Sequence, residues 1–564
     1  MLEWDPTDRF EARLFGYYTD DVRDSSPQYY VDLNCGPVGR PLSAVCGDMP
    51  IDTHLAADPE SLAFSRQVAL GSLDLSYDFG PVALKGQFAY YDAKTDNFSD
   101  YASGAGDGAG ETFSIVNRAA PAVILRRQAV PYFTGAGQGE SESKSAELRL
   151  ESRQDQNLRW MVGAFYFDNE ALSKSKFAFD GRELAPGEIP LDAFFLGGRV
   201  TVYDDPRSNM VVLSKDLRED EQVAVFGSLA WDVTDSLTLS AELRYDEEDR
   251  SRENPLIGAS SHQEDTFTYD TWRFSADYAF TPVQRVYASA AKGVISGYFN
   301  PTFDAAAQRP VPEALQAYDP AENITYELGW KAEWLDGRLS TDLALFYIDY
   351  TDIQINVTPP QDSGLISNLI QNIGDATGTG FELAVNFQAT DHLRAGFTYS
   401  YSPTEFDDGT PDPGMTRYCG GAAGLAAGFC PSLTFRGAVL PDVSGEPLNR
   451  SAEKLASAYA MYDVPLGGDW SAYARVDASY TGDIPHYTLP LAYWASRTLM
   501  NTRLGVRRGP LEVALWAHNL TDEEYVAAAI NQPPIAPPLR FVPNPTMGQG
   551  RTYGLTASYT FGSN

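Results

Sequence analysis

Residues 551–561 read RTYGLTASYTF, and this short stretch decides how the rest of the chain is interpreted. In an extended strand Tyr553, Leu555, Ala557, Tyr559 and Phe561 share one face, while Gly554, Thr556, Ser558 and Thr560 share the other. An apolar face closed by aromatics, backed by a small polar face, suits a strand placed between lipid and a watery lumen. One such strand also fits the edge of a soluble sandwich, so the weight falls on repetition. In 236–246, Leu237, Leu239, Ala241, Leu243 and Tyr245 oppose Ser236, Thr238, Ser240, Glu242, Arg244 and Asp246. Segments 381–388, 393–401 and 470–480 alternate in the same way, with none of the three-and-four spacing of an amphipathic helix.

Alternation alone does not separate a membrane barrel from a large soluble β-protein. The connections do. Period and breaker residues mark about 18 strands, near 9–19, 65–77, 83–91, 144–153, 158–170, 220–231, 236–249, 267–280, 284–292, 322–334, 338–351, 379–388, 392–402, 454–464, 469–481, 497–507, 511–519 and 551–561. Tight turns such as Asp78–Pro81, Gln154–Asn157, Asp232–Asp235 and Leu335–Gly337 alternate with long links: 20–64, 92–143, 171–219, 250–266, 293–321, 352–378, 403–453, 482–496 and 520–550. Loops of that length are uncommon in compact soluble domains. Short periplasmic turns on one rim and long extracellular loops on the other are the mark of an outer-membrane barrel. The expected fold is therefore all-β: a transmembrane antiparallel β-barrel, read as one domain over 1–564 because no linker or composition break divides it.

Composition agrees. Lys and Arg number 42 against 77 Asp and Glu, a net charge of −35, so binding to a phosphate backbone is excluded. Mean hydropathy is −0.30 and no apolar run reaches the ~18 residues of a helical span, whereas a β-barrel escapes such a search because half of each strand faces water. The 32 tyrosines include many near strand ends, where interfacial girdles belong.

Cys35 and Cys46 are 11 positions apart, as are Cys419 and Cys430, and both pairs fall in expected external loops. Two local disulfides fit an oxidising compartment, each worth about 3 kcal/mol by loop closure. A metal site is the rival, but no second Cys or His stands nearby at zinc spacing. Other candidates carry less. His54, His262, His392, His486 and His518 are scattered, and no spacing marks a Ser–His–Asp arrangement, so no enzyme is expected. Asp407 with Asp408, or Asp20 with Asp21, are weak calcium candidates against ordinary solvated acids. Arg126 and Arg127 could meet an anionic chelate. Tyr132, Phe133, Phe194, Phe195, Tyr298 and Phe299 could stack on an aromatic ligand or be buried where loops fold together. No resident cofactor or metal is expected.

Three longer segments resemble a known family. YELGWKAEWLDGRLSTDLALFYIDYTDIQ (326–354) is similar to the mid-barrel hairpin of TonB-dependent outer-membrane receptors. VYASAAKGVISGYFNP (286–301) resembles a strand and loop start in the same family, and NLTDEEY (519–525), followed by a long loop and the terminal YGLTASYTF, resembles its C-terminal signature. The resemblance runs from about residue 1 to the end, and its force comes from the order and spacing of the motifs. It implies a barrel of about 22 strands, blocked by an N-terminal plug, that captures a scarce ligand, most often an iron–siderophore complex. A periplasmic TonB complex would supply the energy, and a monomer in the outer-membrane bilayer is expected. Here the chain opens at MLEWDPTDRFEARLFGYYTD, which resembles mid-barrel sequence with Asp5–Asp8 as a periplasmic turn. No signal peptide, TonB box or plug can be located. The expectation is an N-terminally truncated barrel with an incomplete wall, unable alone to drive energised transport. A passive porin stays open as the alternative, and an outer-membrane enzyme or adhesin as a third reading without a site.

Overall fold

The computed structural model describes residues 2–24, 30–32, 44–46, 63–100, 111–117, 120–130, 133–180, 184–185, 188–190, 201–203, 211–304, 309–357, 368–416, 419–435, 437–489, 493–532 and 542–561. One antiparallel sheet of 21 strands dominates them. Its first wall strands are β1 (Leu2–Thr7), β2 (Phe10–Asp24), β3 (Ala63–Asp78), β4 (Val82–Asp100), β5 (Phe133–Ser152) and β6 (Leu158–Asp180). Next come β7 (Val211–Thr234), β8 (Leu237–Glu253), β9 (Gln263–Thr281), β10 (Gln284–Ile295), β11 (Ala321–Trp334), β12 (Leu339–Thr351) and β13 (Ala376–Gln388). The last are β14 (Leu393–Tyr401), β15 (Lys454–Gly467), β16 (Trp470–Thr481), β17 (Arg497–Arg508), β18 (Leu511–His518) and β19 (Thr552–Tyr559). Each pairs antiparallel with the next in sequence. Thr201–Tyr203 and Thr404–Phe406 add short extensions beside β6 and β13.

Every strand expected from the sequence is present, and its alternation governs which way side chains face. On β8, Leu243 is 58% exposed while Asp246 is 1% exposed. The polar face turns inward and the apolar face outward, the reverse of a water-soluble sheet. The outward band continues through Leu14, Phe88, Val162, Val225, Leu328, Leu345, Leu504 and Leu515, all exposed. No helix among the described residues is long and apolar enough to cross a membrane; the strands do the crossing.

Two expectations need correction. Asp5–Asp8 is not the first turn: β1 runs through Thr7 and the chain reverses at Asp8–Arg9, with Thr7 opposite Phe10. Pro6 falls where the β1–β2 register shifts between Trp4 and Thr7, an irregularity that spares it a ladder donor. Several strands also reach far into what reads as loop, with β4 extending to Asp100, β5 starting at Phe133, β6 ending at Asp180 and β7 starting at Val211. Above the membrane both faces of a hairpin meet water, so pairing continues after the hydrophobic alternation has stopped.

Among the described residues no ladder joins β1 to β19, so the sheet has two edges.

The inner face has a recurrent device. Phe226, Tyr287, Phe346, Tyr459, Tyr473 and Trp516 each stand directly across the ladder from a glycine: Gly163, Gly329, Gly380, Gly396, Gly505 and Gly554 respectively. Each ring lies over its glycine. A Cβ at Gly329 would sit 2.1 Å from Tyr287 Cε1, and one at Gly505 would sit 2.3 Å from Tyr473 Cε1. Cations cover several rings in turn, Arg507 over Tyr473 at 4.2 Å and Arg475 over Tyr459 at 4.9 Å.

Candidate ligand-binding mouth

The long links gather at one rim, and there the chain builds its only sizeable hydrophobic cluster among the described residues. Ile355, Val357 and Ile373 come from link 352–375, Phe406, Met415 and Val443 from link 402–453, and Leu489 from link 482–496. Three links that are far apart in sequence thus share one core above the β12–β17 part of the wall. Backbone bonds knit them together: Asp407 N–H donates to Asp375 O at 3.0 Å, and Arg450 N–H to Pro485 O at 2.7 Å. Asp412, 3% exposed, accepts from Thr488 Oγ1 at 2.5 Å and from Gly414 N–H at 2.8 Å. Burial pushes its carboxyl above the ordinary aspartate range, opposed by those donors. Cys419 and Cys430 are bonded to each other inside this core, with Cα atoms 5.6 Å apart. The Cys35–Cys46 pairing lies outside the described residues.

A second layer of the mouth grows from the inner face of β8. Period two carries Arg244, Asp246, Glu248, Arg250 and Arg252 inward in a single row. Charges are satisfied along it. Arg244 binds Asp246 at 2.7 Å, Arg250 binds Glu248 at 2.7 Å, and Arg252 binds Asp216 at 2.9 Å. Tyr269 Oη donates to Glu248 as well. At the top of the row link 296–320 folds inward. Gly297, Tyr298, Phe299 and Asn300 are all buried. Arg252 Nη1 donates to Phe299 O at 2.7 Å, and the Tyr298 ring sits between Arg218 at 5.6 Å and Arg250 at 5.1 Å. Only glycine fits at 297, since a Cβ there would stand 2.5 Å from the Phe267 ring and 2.6 Å from Tyr318 O. Burial pushes the Tyr298 phenol up to about 12, against the pull of the two guanidiniums.

Asn300 then ties this link to the capped side of the mouth. Its Nδ2 donates to Ile370 O at 2.7 Å and its Oδ1 accepts from Ile370 N–H at 2.9 Å. Gln354 Nε2 reaches Ser296 O at 3.0 Å. The rim between them is acidic: Asp352 is held above the ordinary range by burial and then by Asp375, Asp319 and Glu322.

Of the residues singled out from the sequence, Tyr298 and Phe299 lie at this junction, buried rather than open to a stacking ligand. Arg126 is engaged with Glu188 through two bonds of 2.5 and 2.7 Å. Asp20 and Asp21 are successive residues of β2 and so face opposite sides of the sheet, which rules out a shared cation. Asp407 and Asp408 sit on the acidic rim. His486 is buried against Tyr487 and Trp494, and His518 stacks on Trp516 at 4.9 Å on the inner face. Tyr132, Phe194 and Phe195 lie outside the described residues, as do the side chains of Phe133 and Arg127. The sequence reading missed Arg218, Arg250 and Arg252. Counting in twos past residue 249 was the signal that would have found the last two, since it continues the row from Asp246 and Glu248.

The chain matches the family model described as TonB dependent receptor-like, beta-barrel, over residues 69–520. It is 26% identical over 159 residues to the ferric-pyoverdine 358 receptor of Pseudomonas putida, a match covering 25% of this chain and 18% of that protein. The chain therefore aligns with less than a fifth of that relative's length. Among solved structures it resembles the ferric yersiniabactin uptake receptor FyuA of Yersinia pestis, with a TM-score of 0.65 at 13% identity, covering 98% of this chain and 68% of the other. The ferripyoverdine receptor of the outer membrane of Pseudomonas aeruginosa gives 0.64 at 13%, covering 99% and 63%. At such identities the likeness concerns the fold alone.

Proposed function

The chain belongs to the TonB-dependent receptor-like β-barrel family, and from that premise we propose that it is the barrel of an outer-membrane uptake receptor for a scarce metal chelate, foremost an iron–siderophore complex. The observation that carries this is the mouth. Three long links condense into a capped core, a fourth is drawn inward, and Arg218 is exposed beside Tyr298 in a chain whose net charge is −35. A passive pore has no need of a packed cap, whereas a receptor must hold its ligand against dilution before passing it on. The receptors named above are described by their ferric ligands, which supports the same class here. Uptake driven by TonB belongs to the complete receptor, and the 1–564 region acts as its barrel, a monomer in the bilayer.

The reading is tested by titrating the purified chain with a panel of ferric chelates while following tryptophan fluorescence. A saturable quench, weakened in Arg218→Gln, is expected. Planar-bilayer recordings address the porin alternative: large, steady, chelate-independent conductance with no saturable binding would replace the receptor assignment.

A further inference from the structure

The register of β19 on β18 is a matter that alternation leaves open. A slip of two residues keeps Tyr553, Leu555, Ala557 and Tyr559 on the lipid face and Thr552, Gly554, Thr556 and Ser558 on the inner one. In a hairpin the turn fixes the register, as it does between β17 and β18, where Arg508 is paired with Leu511. No tight turn joins β18 to β19. His518 is paired with Thr552, and the chain between them runs from 519 to 551.

The two feet of that connection are bound to each other and to β17. Asn519 is 5% exposed and its backbone is left-handed, with φ 47°. Its Nδ2 donates to Glu523 O at 2.9 Å and to Gln549 O at 3.2 Å, while its Oδ1 accepts from Glu523 N–H at 2.8 Å. Asp522, with φ 59°, accepts from Arg551 N–H at 2.8 Å. Asn and Asp are among the few residues besides glycine that take this conformation readily. Leu520 N–H donates to Met500 O at 2.7 Å, and Asn519 N–H to Asn501 Oδ1 at 3.0 Å, which fastens the first foot to β17. The Asp522–Arg551 ion pair, at 3.4 Å, is exposed and adds little.

Bonds to backbone hold β19 without telling one of its residues from another. Two rings make that distinction. Tyr525 covers Gly548, where a Cβ would stand 2.0 Å from the ring Cζ, and Gly548 N–H donates to Tyr525 O at 2.8 Å. Trp516 covers Gly554, where a Cβ would stand 2.4 Å from Cζ2, and its Nε1–H donates to Thr556 Oγ1 at 3.0 Å. A slip of two residues, about 7 Å, would bring Gly550 and Thr556 under the rings in one direction, and Thr546 and Thr552 in the other. The observed register seats glycine under both.

We propose that Trp516 and the 519–525 turn form a register gauge, which admits β19 to the wall in one of the registers that alternation allows and so sets where the last long link stands over the mouth. The gauge acts in the assembly of the wall and is independent of which chelate is carried.

The test uses the whole chain folded into lipid vesicles, with paired cysteines as rulers and peptide mass spectrometry to identify which pair has joined. Leu515→Cys with Leu555→Cys reports the observed register, in which the two are directly opposite. Leu515→Cys with Ala557→Cys, or with Tyr553→Cys, reports a slip of two to either side. Cysteines bridge when their Cα atoms lie within about 7 Å, so opposite positions join faster than diagonal ones. The parent should join between 515 and 555. Asn519→Ala with Asp522→Ala should raise the slipped products about tenfold, while Glu524→Ala, in the same turn, leaves them at the parent level. Gly548→Thr, Gly554→Thr and Thr556→Gly together move both glycine seats two residues along β19, and the main product should shift to 515 with 557. Products confined to 515 with 555 in both the alanine and the shifted-seat variants overturn the gauge, as does a mixture of registers in the parent. If the alanine pair keeps the chain from folding, shown by gel mobility, the shifted-seat variant decides, since it retains the whole 519–525 turn.

Discussion

Replacing Gly505 by alanine should unseat the Tyr473 ring, and the structure sets the size of the effect. The new Cβ would stand 2.3, 2.4 and 2.6 Å from Tyr473 Cε1, Cζ and Oη. These atoms belong to a ring held on several sides, not to the free end of a flexible chain. Tyr473 Oη donates to Glu512 at 2.6 Å, Arg503 Nε donates to Tyr473 Oη at 2.7 Å, and Arg507 covers the ring at 4.2 Å. Overpacking alone costs about 1–3 kcal/mol. Lost hydrogen bonds to charged partners add roughly 1.5–3 kcal/mol, to be discounted because Arg503 and Arg507 are 39% and 41% exposed. A total of about 3 kcal/mol follows. Gly71, with nothing within 4 Å of its would-be Cβ, is the control, and its alanine variant should stay within about 0.5 kcal/mol of the parent. The assay is urea unfolding of the chain folded into lipid vesicles, followed by tryptophan fluorescence. In a Tyr473→Ala background the Gly505→Ala penalty should shrink to the level of the control. If Gly505→Ala is as stable as Gly71→Ala, or if its cost persists without the ring, the ring-over-glycine account is wrong.

Further outcomes follow from the mouth. Replacing Cys419 and Cys430 by serine should weaken the cap by about 3 kcal/mol and open link 402–453 to proteolysis, leaving the wall's urea midpoint unchanged. Arg252→Met leaves the half-buried Asp216 without its ion-pair partner and Phe299 O without its donor, which should cost about 2 kcal/mol and loosen 297–300, seen as faster hydrogen exchange there. Asp412 has a folded-state carboxyl raised by burial. Its favourable contribution is therefore complete below the unfolded carboxyl value and is lost as pH rises through the folded one. Protection of the cap against protease should fall as pH rises above the ordinary aspartate range of about 4, and Asp412→Asn should flatten that slope.

Much of the wall was legible because the physics that makes it is local. Leu237 to Tyr245 alternate because one face meets lipid and the other meets water, and hydrophobicity records that directly. Beyond the lipid band, as in Ser173–Lys176 of β6, the record fades although the hydrogen bonds continue. The cap was illegible for another reason. Val357, Phe406 and Leu489 meet only after three links have folded against one another, and no spacing within a single link announces it. The Tyr473–Gly505 seat and the Arg252–Asp216 pair depend on register between strands, which alternation leaves free by steps of two. Tyr298 was marked as a loop aromatic from its sequence alone, but that it turns inward between two guanidiniums is a property of the assembled rim.

The shared core over β12–β17 bears on how the rim responds to contact. Ile355, Phe406 and Leu489 belong to links far apart in sequence yet pack on one another. An interior packed to crystal-like density transmits displacement instead of absorbing it. Whatever presses on one of these three arches is therefore felt by the other two, and the rim answers as a unit.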